Sequence, residues 1–503
     1  GTGNLNTDPG LNSVADGQYN LSHDSPLIDA GTASGAPTYD IAGESRPEGA
    51  GYDLGADEYV DDGDGLPDYW EEMYFGDLSQ EASGDPDSDG LSNGEEYQAG
   101  TDPTDADSDD DTLTDGDEVD IHGTDPVDAD TDDDFTPDGW EVDSGLEPTI
   151  HDSREDGDSD GYSNYQEYVH GTDPADGGDY PASARIYVDG SWAGTESGTE
   201  AEPFNTIQEG LDAAADGDQV MVSAGTYTGT GNKDLDFNGT KVELVSADGP
   251  EATVIDCEGV GRGVYFSDDE TLLSIIDGFR IENGVSADEG GGILCLSSSP
   301  TIINCIITGN EAAYYGGGIA AVVNNTEPQI INCIVTDNYS GYQGGGINSG
   351  WLSFPTVLHT TVTANRSAGA GDGINCEADA SAIVVNSIVW DNDSNAGGDE
   401  IENAGTMLVS FCLVKGGYTG VGNMGDQPSH VPDFVDAAGG NYHIQSGSSA
   451  IDLGMGLRWP VTDIDGEARP NGLGDDIGAD EYYQQDAPTP TPVTTATPEG
   501  PSP

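Results

Sequence analysis

The sequence predicts a mainly β fold, a parallel β-helix of about 27 residues per coil joined to a repeat rod of short loops and turns. Three observations carry this. A Gly-Gly-Ile marker recurs at coil-length intervals, an Asp-x-Asp-x-Asp marker recurs earlier in the chain, and glycine contributes 74 of 503 residues. Such composition suits turn-rich β architecture better than helical bundles. The charge is lopsided, with 11 Lys+Arg against 98 Asp+Glu and a formal net charge of −87. Phosphate backbones and anionic bilayers would be repelled, so nucleic-acid binding and docking on anionic membranes are excluded. No apolar run is long enough for a transmembrane segment.

The elements follow in order. Residues 19–59 and 442–482 align without a gap at a constant offset, so that Ile28, Asp29, Gly31, Asp40, Gly43, Glu44, Arg46, Pro47 and Asp53 recur as Ile451, Asp452, Gly454, Asp463, Gly466, Glu467, Arg469, Pro470 and Asp476. Residues 1–59 therefore read as a second copy of the late module, the C-terminal piece of a preceding β-helix. This predicts either a longer tandem protein or a segment that completes a neighbouring molecule. Residues 60–180 hold about 42 of the 98 acidic residues and one basic residue, Arg154. Residues 181–484 are rich in Gly, Ile, Val and Asn, and 485–503 form a Thr/Pro-rich linker or tail with no core to bury.

Four segments of the acidic block carry oxygen-bearing residues at positions 1, 3, 5, 7, 9 and 12. They are Asp85, Asp87, Asp89, Leu91, Asn93 and Glu96; Asp107, Asp109, Asp111, Leu113, Asp115 and Glu118; Asp130, Asp132, Asp134, Thr136, Asp138 and Glu141; and Asp156, Asp158, Asp160, Tyr162, Asn164 and Glu167. Calcium takes six to eight oxygens, and this spacing turns alternate side chains inward, adds the position-7 carbonyl and ends on a carboxylate that can bind through both oxygens. A fifth copy, Asp62, Asp64, Asp68 and Glu71, has Val60 at its first position and is degraded. The block predicts about four to five Ca2+ ions. An acidic tail has the same composition, but four segments at 22–26 residue intervals share one register, which a disordered tail does not produce. Position 6 is Gly in the first and last loops and Thr112 or Phe135 in the middle two, which predicts a different geometry or weaker binding there. After each loop a helix can run only briefly, because Gly100-Thr-Asp-Pro103, Gly123-Thr-Asp-Pro126 and Gly171-Thr-Asp-Pro174 stop it. Trp70, Trp140 and Tyr168 read as packing anchors between repeats.

These residues resemble the bacterial thrombospondin type-3 repeat over 60–176. The resemblance implies calcium ions threading a compact rod, substituting for a hydrophobic core.

From residue 285 the second period takes over. Ile293, Ile319, Ile347, Ile374 and Ile401 follow Gly clusters at intervals of 26, 28, 27 and 27, and Asn283, Asn310, Asn338, Asn365 and Asn392 are read as a parallel marker. Between them lie β-type runs such as Thr301–Thr308 and Gln329–Thr336, sized for strands of about 4–6 residues. Stacked coils would form inward Ile/Val ladders, with Asn amides bonding the next coil at the bends. Cys305 and Cys333 fall at equivalent positions one coil apart, which leaves a thiol ladder or a disulfide open. His359 takes the bend position of Asn304, Asn332 and Asn386.

The opening of this region, from Arg185-Ile-Tyr-Val-Asp189 through Pro203-Phe-Asn-Thr-Ile-Gln208 to Gly225-Thr-Tyr227, resembles pectate-lyase-like right-handed β-helix proteins. That implies a short capping helix at about 205–215. The exit, from Ala450-Ile-Asp452 to Asp476-Ile-Gly-Ala-Asp-Glu-Tyr482, resembles the "choice-of-anchor Q" ending of bacterial surface β-helices and implies cell-surface attachment.

Lyases on this fold use an Arg or Lys base with calcium. The bases available are Lys233, Lys241, Arg262, Arg280, Arg366 and Lys415, and Arg366 and Lys415 have no clear carboxylate cluster beside them in the coil register. Asp268, Asp269 and Asp391 read as turn residues before they read as catalytic carboxylates. The leading expectation is a non-catalytic extracellular or cell-surface structural protein for surface architecture, adhesion or head-to-tail fibre assembly, with other β-helix modules as partners. A secreted polysaccharide lyase or glycosidase acting on acidic polysaccharide is the second reading. A carbohydrate-binding adhesin whose partner is a polysaccharide or cell-surface glycan is the third.

Overall fold

The computed structural model describes residues 65–482 except 77, 133, 182–183, 324–325, 393–398, 426, 458–459, 461 and 471–473, together with isolated positions between 25 and 54. Asp62, Asp64 and the tail 485–503 lie outside the described residues. The chain divides into two compact units, Gly1–Pro181 and Ala182–Pro503.

In the first unit short helices alternate with acidic loops. These are α1 (Asp68–Tyr74), α2 (Asn93–Ala99), α3 (Asp115–Asp117, continued by a π turn over Glu118–His122), α4 (Asp138–Ser144) and α5 (Asn164–His170). The sequence starts and stops each within two turns. Ser92 with Glu95 and Ser163 with Gln166 form capping boxes at the starts of α2 and α5. Gly100, Gly123, Gly145 and Gly171 close α2, the π turn, α4 and α5 in the left-handed conformation, at φ 89°, 76°, 80° and 71°. Aromatic pairs join consecutive repeats: Trp70 meets Tyr97 at 5.9 Å, and Trp140 meets Tyr168 at 5.2 Å between ring centroids.

The second unit is a parallel β-helix, with its coils wound in the right-handed sense that parallel crossovers favour. Among the described residues its strands stack into sheets of nine, eight and seven strands and a short four-stranded ladder. The register puts one apolar residue per coil on the axis of each sheet. Ile276, Ile302, Ile330, Val357, Val384 and Val409 align in the first sheet, and Val264, Ile293, Ile319, Ile347, Ile374 and Ile401 in another. All of these are buried. Helix α6 (Ile207–Ala213), started by a Thr206–Glu209 capping box, lays Ile207 and Leu211 into the core near the first strands. Gly210 is required there, because a Cβ would stand 2.8 Å from both Val188 and Val220.

Two columns of side chains fix the bends. Asn310, Asn338 and Asn365 each donate a backbone and a side-chain N–H to the Oδ1 of Asn338, Asn365 and Asn392, at 2.9–3.0 Å. Glu400 ends the column by accepting both donors of Asn392. Asn283 does not belong to it. Strand pairing places Val285 opposite Glu311, so Gly284 is the residue in line with Asn310, and Asn283 bonds Asp256 one position earlier. The 26-residue coil between those strands shifts the marker by one residue. At the second bend Asn304, Asn332, His359 and Asn386 all take positive φ, and His359 is a buried stack member against Asn386 Nδ2 at 3.1 Å.

The residue after each of these bends is Cys305, Cys333, Thr360 or Ser387, and Cys412 follows the next bend in line, at Phe411, which also takes positive φ. Each donates its S–H or O–H to the carbonyl two residues earlier, at 2.8–3.1 Å. Cys305 and Cys333 are therefore free, buried thiols filling a turn position that Ser and Thr fill elsewhere. Burial raises the thiol of Cys412 to about 12.

The exit segment folds back over the outside of the eight-stranded sheet. Tyr442, Ile464 and Ala479 cover Ile306 and Ile334, and Ile444, Ala450 and Ile477 cover Ile388 and Leu413. Asn386 bonds both polar backbone atoms of Met455 at 2.7 Å. Within this segment Arg469 is buried against Glu481, at 2.9 Å. The N-terminal copy repeats the segment's own bonds: Gly31 N to Tyr52 O and Leu54 N to Leu27 O correspond to Gly454 N to Asp475 O and Ile477 N to Ala450 O.

Candidate metal centres

Each acidic loop is wound by its own carboxylates. Asp107 Oδ1 and Oδ2 accept from Asp111 N and Thr112 N, both at 3.1 Å. Asp130 does the same for Asp134 and Phe135, and Asp156 for Asp160 and Gly161. Position 5 then accepts from the N–H of position 7, as Asp89 does from Leu91 and Asp111 from Leu113, both at 2.7 Å. The expectation that Thr112 and Phe135 make the middle loops different is corrected. Their φ values of 92° and 80° match the left-handed Gly90 and Gly161, at 115° and 95°. The carboxylate bonds hold the turn whatever occupies position 6, and the non-glycine residues carry the strain.

The winding gathers negative charge. Carboxylate oxygens of Asp85, Asp87 and Asp89 lie within 4.8 Å of one another, as do those of Asp107, Asp109 and Asp111, and of Asp130, Asp132 and Asp134. The position-12 residues Glu96, Glu118, Glu141 and Glu167 are fully buried. Thr124 and Thr172 of the Gly-Thr-Asp-Pro strings orient Glu118 and Glu167 by donating to one oxygen at 3.0 and 3.2 Å. Position 9 is buried too. Asp115 accepts from Ser108 N and Oγ, and Asn164 donates to Asp152. In the degraded first copy Glu71 is buried within α1, and Asp68 opens that helix.

Buried oxygens without a hydrogen-bond partner occur in every one of the four loops. They include Asp87 Oδ2 with both oxygens of Glu96, Asp109 Oδ2 with Glu118 Oε2, both oxygens of Asp132 and Glu141, and Asp158 Oδ2 with Glu167 Oε2. Leaving a buried carboxylate unpaired is costly, and more so beside other carboxylates. Burial first, then the neighbouring aspartates, pushes Glu96 and Glu118 up to about 8, Glu167 to about 7 and Glu141 to about 10. Asp132 rises to about 7 and Asp109 to about 6 for the same reasons. A hard divalent cation that takes several oxygens fits this donor set, which holds neither thiol nor imidazole.

One member of the clusters escapes the repeat register. Asp152 joins Asp134 and Glu141 within 4.8 Å. It lies in the connector between the third and fourth loops, where the Gly-Thr-Asp-Pro string is replaced by Gly145-Leu-Glu-Pro148 and lengthened. That departure in length was the available signal.

On the β-helix the basic residues are engaged. Lys233 pairs with Glu258, Arg262 with Asp288, Arg280 with Glu251 and Lys415 with Asp391, while Arg366 lies over the ring of Tyr339. The exit segment contributes His443, Asp465 and Asp480, another metal-like grouping. There the ring nitrogens of His443 lie 2.7 Å from Asn441 Oδ1 and 2.5 Å from Asp465 Oδ2, and the bond to Asp465 raises the imidazole to about 9, which favours its charged form.

Fold and loops together define a parallel β-helix protein preceded by calcium-type acidic repeats. Residues 85–106, 107–129 and 156–177 match the bacterial TSP3 repeat family, and residues 244–424 match the right handed beta helix region family. No curated protein matches the chain. Among solved structures it is similar to pectate lyase Pel9A, with 14% identity over 59% of this chain and 96% of that one, at a TM-score of 0.31. It is also similar to the pectin methylesterase from carrot, with 13% identity over 48% and 84%, at 0.28. A rhamnogalacturonan lyase follows, with 12% identity over 52% and 94%, at 0.24. Likenesses at this level carry no argument about chemistry. Among the described residues no helix is long and apolar enough to cross a membrane.

Proposed function

We propose that the chain is an extracellular calcium-binding structural protein, in which the acidic block folds around about four ions and spaces β-helical modules in a surface or fibre assembly. The observation that supports this is the set of fully buried glutamates, one per loop, each with at least one oxygen that lacks a hydrogen-bond partner and with aspartates close enough to raise its carboxyl. Calcium supplies the missing counter-charge, and the loops take it up with their own oxygens. The order of modules supports a spacer role: a copy of the β-helix exit segment precedes the repeats, and a β-helix follows them. Extracellular calcium would keep loops of this kind filled, and this supports the extracellular placement. Calcium titration with limited proteolysis and electron microscopy tests the reading. It predicts a protease-resistant acidic block in millimolar calcium, and equal cleavage with calcium and with chelator overturns it. Turnover of polyuronate, seen as unsaturated products or new reducing ends, would displace the structural role.

A further inference from the structure

Repeats one, two and three are each closed by what comes next. Asp89 Oδ2 accepts from Gly116 N at 2.9 Å, and Asp111 Oδ2 from Gly139 N at 2.7 Å. In both cases the following repeat also brings a buried aspartate at position 9, Asp115 or Asp138, close enough for its charge and that of the preceding position 5 to interact. The third repeat is followed by one that carries Asn164 at position 9 instead. There the connector turns inward. Asp152 N and Ser153 N donate to Asp134 Oδ2 at 2.9 and 2.7 Å, and Asn164 Nδ2 donates to the Asp152 carbonyl at 3.0 Å and to its Oδ1 at 3.1 Å. The amide of Asn164 thus holds a carboxylate where repeats two and three place their own, Asp115 and Asp138. That carboxylate lies within 4.8 Å of the oxygens of Asp134 and Glu141, and Glu141 is fully buried with neither oxygen bonded.

We propose that Asp152 is a ligand of the cation held by Asp134 and Glu141, so that the third site is assembled from two consecutive repeats. The inference rests on the calcium reading above. It gives the 26-residue interval between Asp130 and Asp156 a purpose: the added residues let the connector reach back to the preceding ion.

The test is calcium binding by the full chain, measured by flow dialysis and calorimetry, for wild type, Asp152→Asn, Asp152→Glu and the exposed control Glu155→Gln. Asp152→Asn is expected to weaken one ion about tenfold or more and leave the rest unchanged. Asp152→Glu keeps the carboxylate and the ion, and Glu155→Gln matches wild type. Superimposable curves for Asp152→Asn and a calcium-binding wild type overturn the inference and leave the calcium reading standing. A wild type that binds no calcium overturns both.

Discussion

Gly139 donates its backbone N–H to Asp111 Oδ2 at 2.7 Å, across 28 residues of chain. The contact welds α4 of one repeat to the loop of the repeat before, and it needs glycine. A Cβ at 139 would stand 2.3 Å from the Asp111 carbonyl oxygen and 2.5 Å from Thr112 Oγ1. Gly139→Ala is therefore expected to destabilise the calcium-loaded repeats by about 1–3 kcal/mol, the usual range for overpacking. Faster cleavage of the acidic block in saturating calcium checks this.

Thr112 carries strain of the opposite kind. It is exposed at φ 92°, a conformation disfavoured for a β-branched side chain. Thr112→Gly should stabilise the loaded block by about 1 kcal/mol, with relief of strain outweighing the added freedom of the unfolded chain. The denaturation midpoint in calcium reads the shift.

The buried glutamates make metal-free and loaded states respond oppositely to pH. Glu96 and Glu118 move from 4.5 to about 8 in the folded, metal-free repeats. A raised folded value means stability that is present below 4.5 and lost as pH climbs towards 8. With chelator, the acidic block should resist protease better at pH 5 than at pH 8. With calcium the order reverses, because the ion binds carboxylates and displaces their protons. Calorimetry in two buffers of different ionisation enthalpy should detect proton release at pH 7.

His443 gives a test in the other unit. Its bond to Asp465, set against partial burial, raises it to about 9. The pair's contribution is present below 6.5 and is lost as pH rises through about 9. A histidine resonance titrating near 9, returned towards 6.5 by Asp465→Asn, is the expected result.

Periodicity made much of this legible. The coil length, the Ile/Val ladders and the four acidic registers can be read because each repeats, and α6 is implied by the resemblance of the entry segment to pectate-lyase-like β-helices. What does not repeat is harder to read. Asn283 shares the residue type of the Asn column but sits one position early, because one coil is a residue shorter. Thr112 and Phe135 adopt a glycine-like turn because Asp107 and Asp130 hold the backbone from a distance. Asp152 sits in a connector with no register, and only the fold brings it to Glu141. The cover laid by the exit segment over the eight-stranded sheet depends on contacts such as Asn386 with Met455, far apart in sequence.

The most direct measurement of the central claim is calorimetric calcium titration of the full chain, with far-UV circular dichroism followed in parallel. The account predicts about four ions bound and a gain of ordered structure in the acidic block as they bind. An absence of binding heat and an unchanged spectrum at millimolar calcium would contradict it.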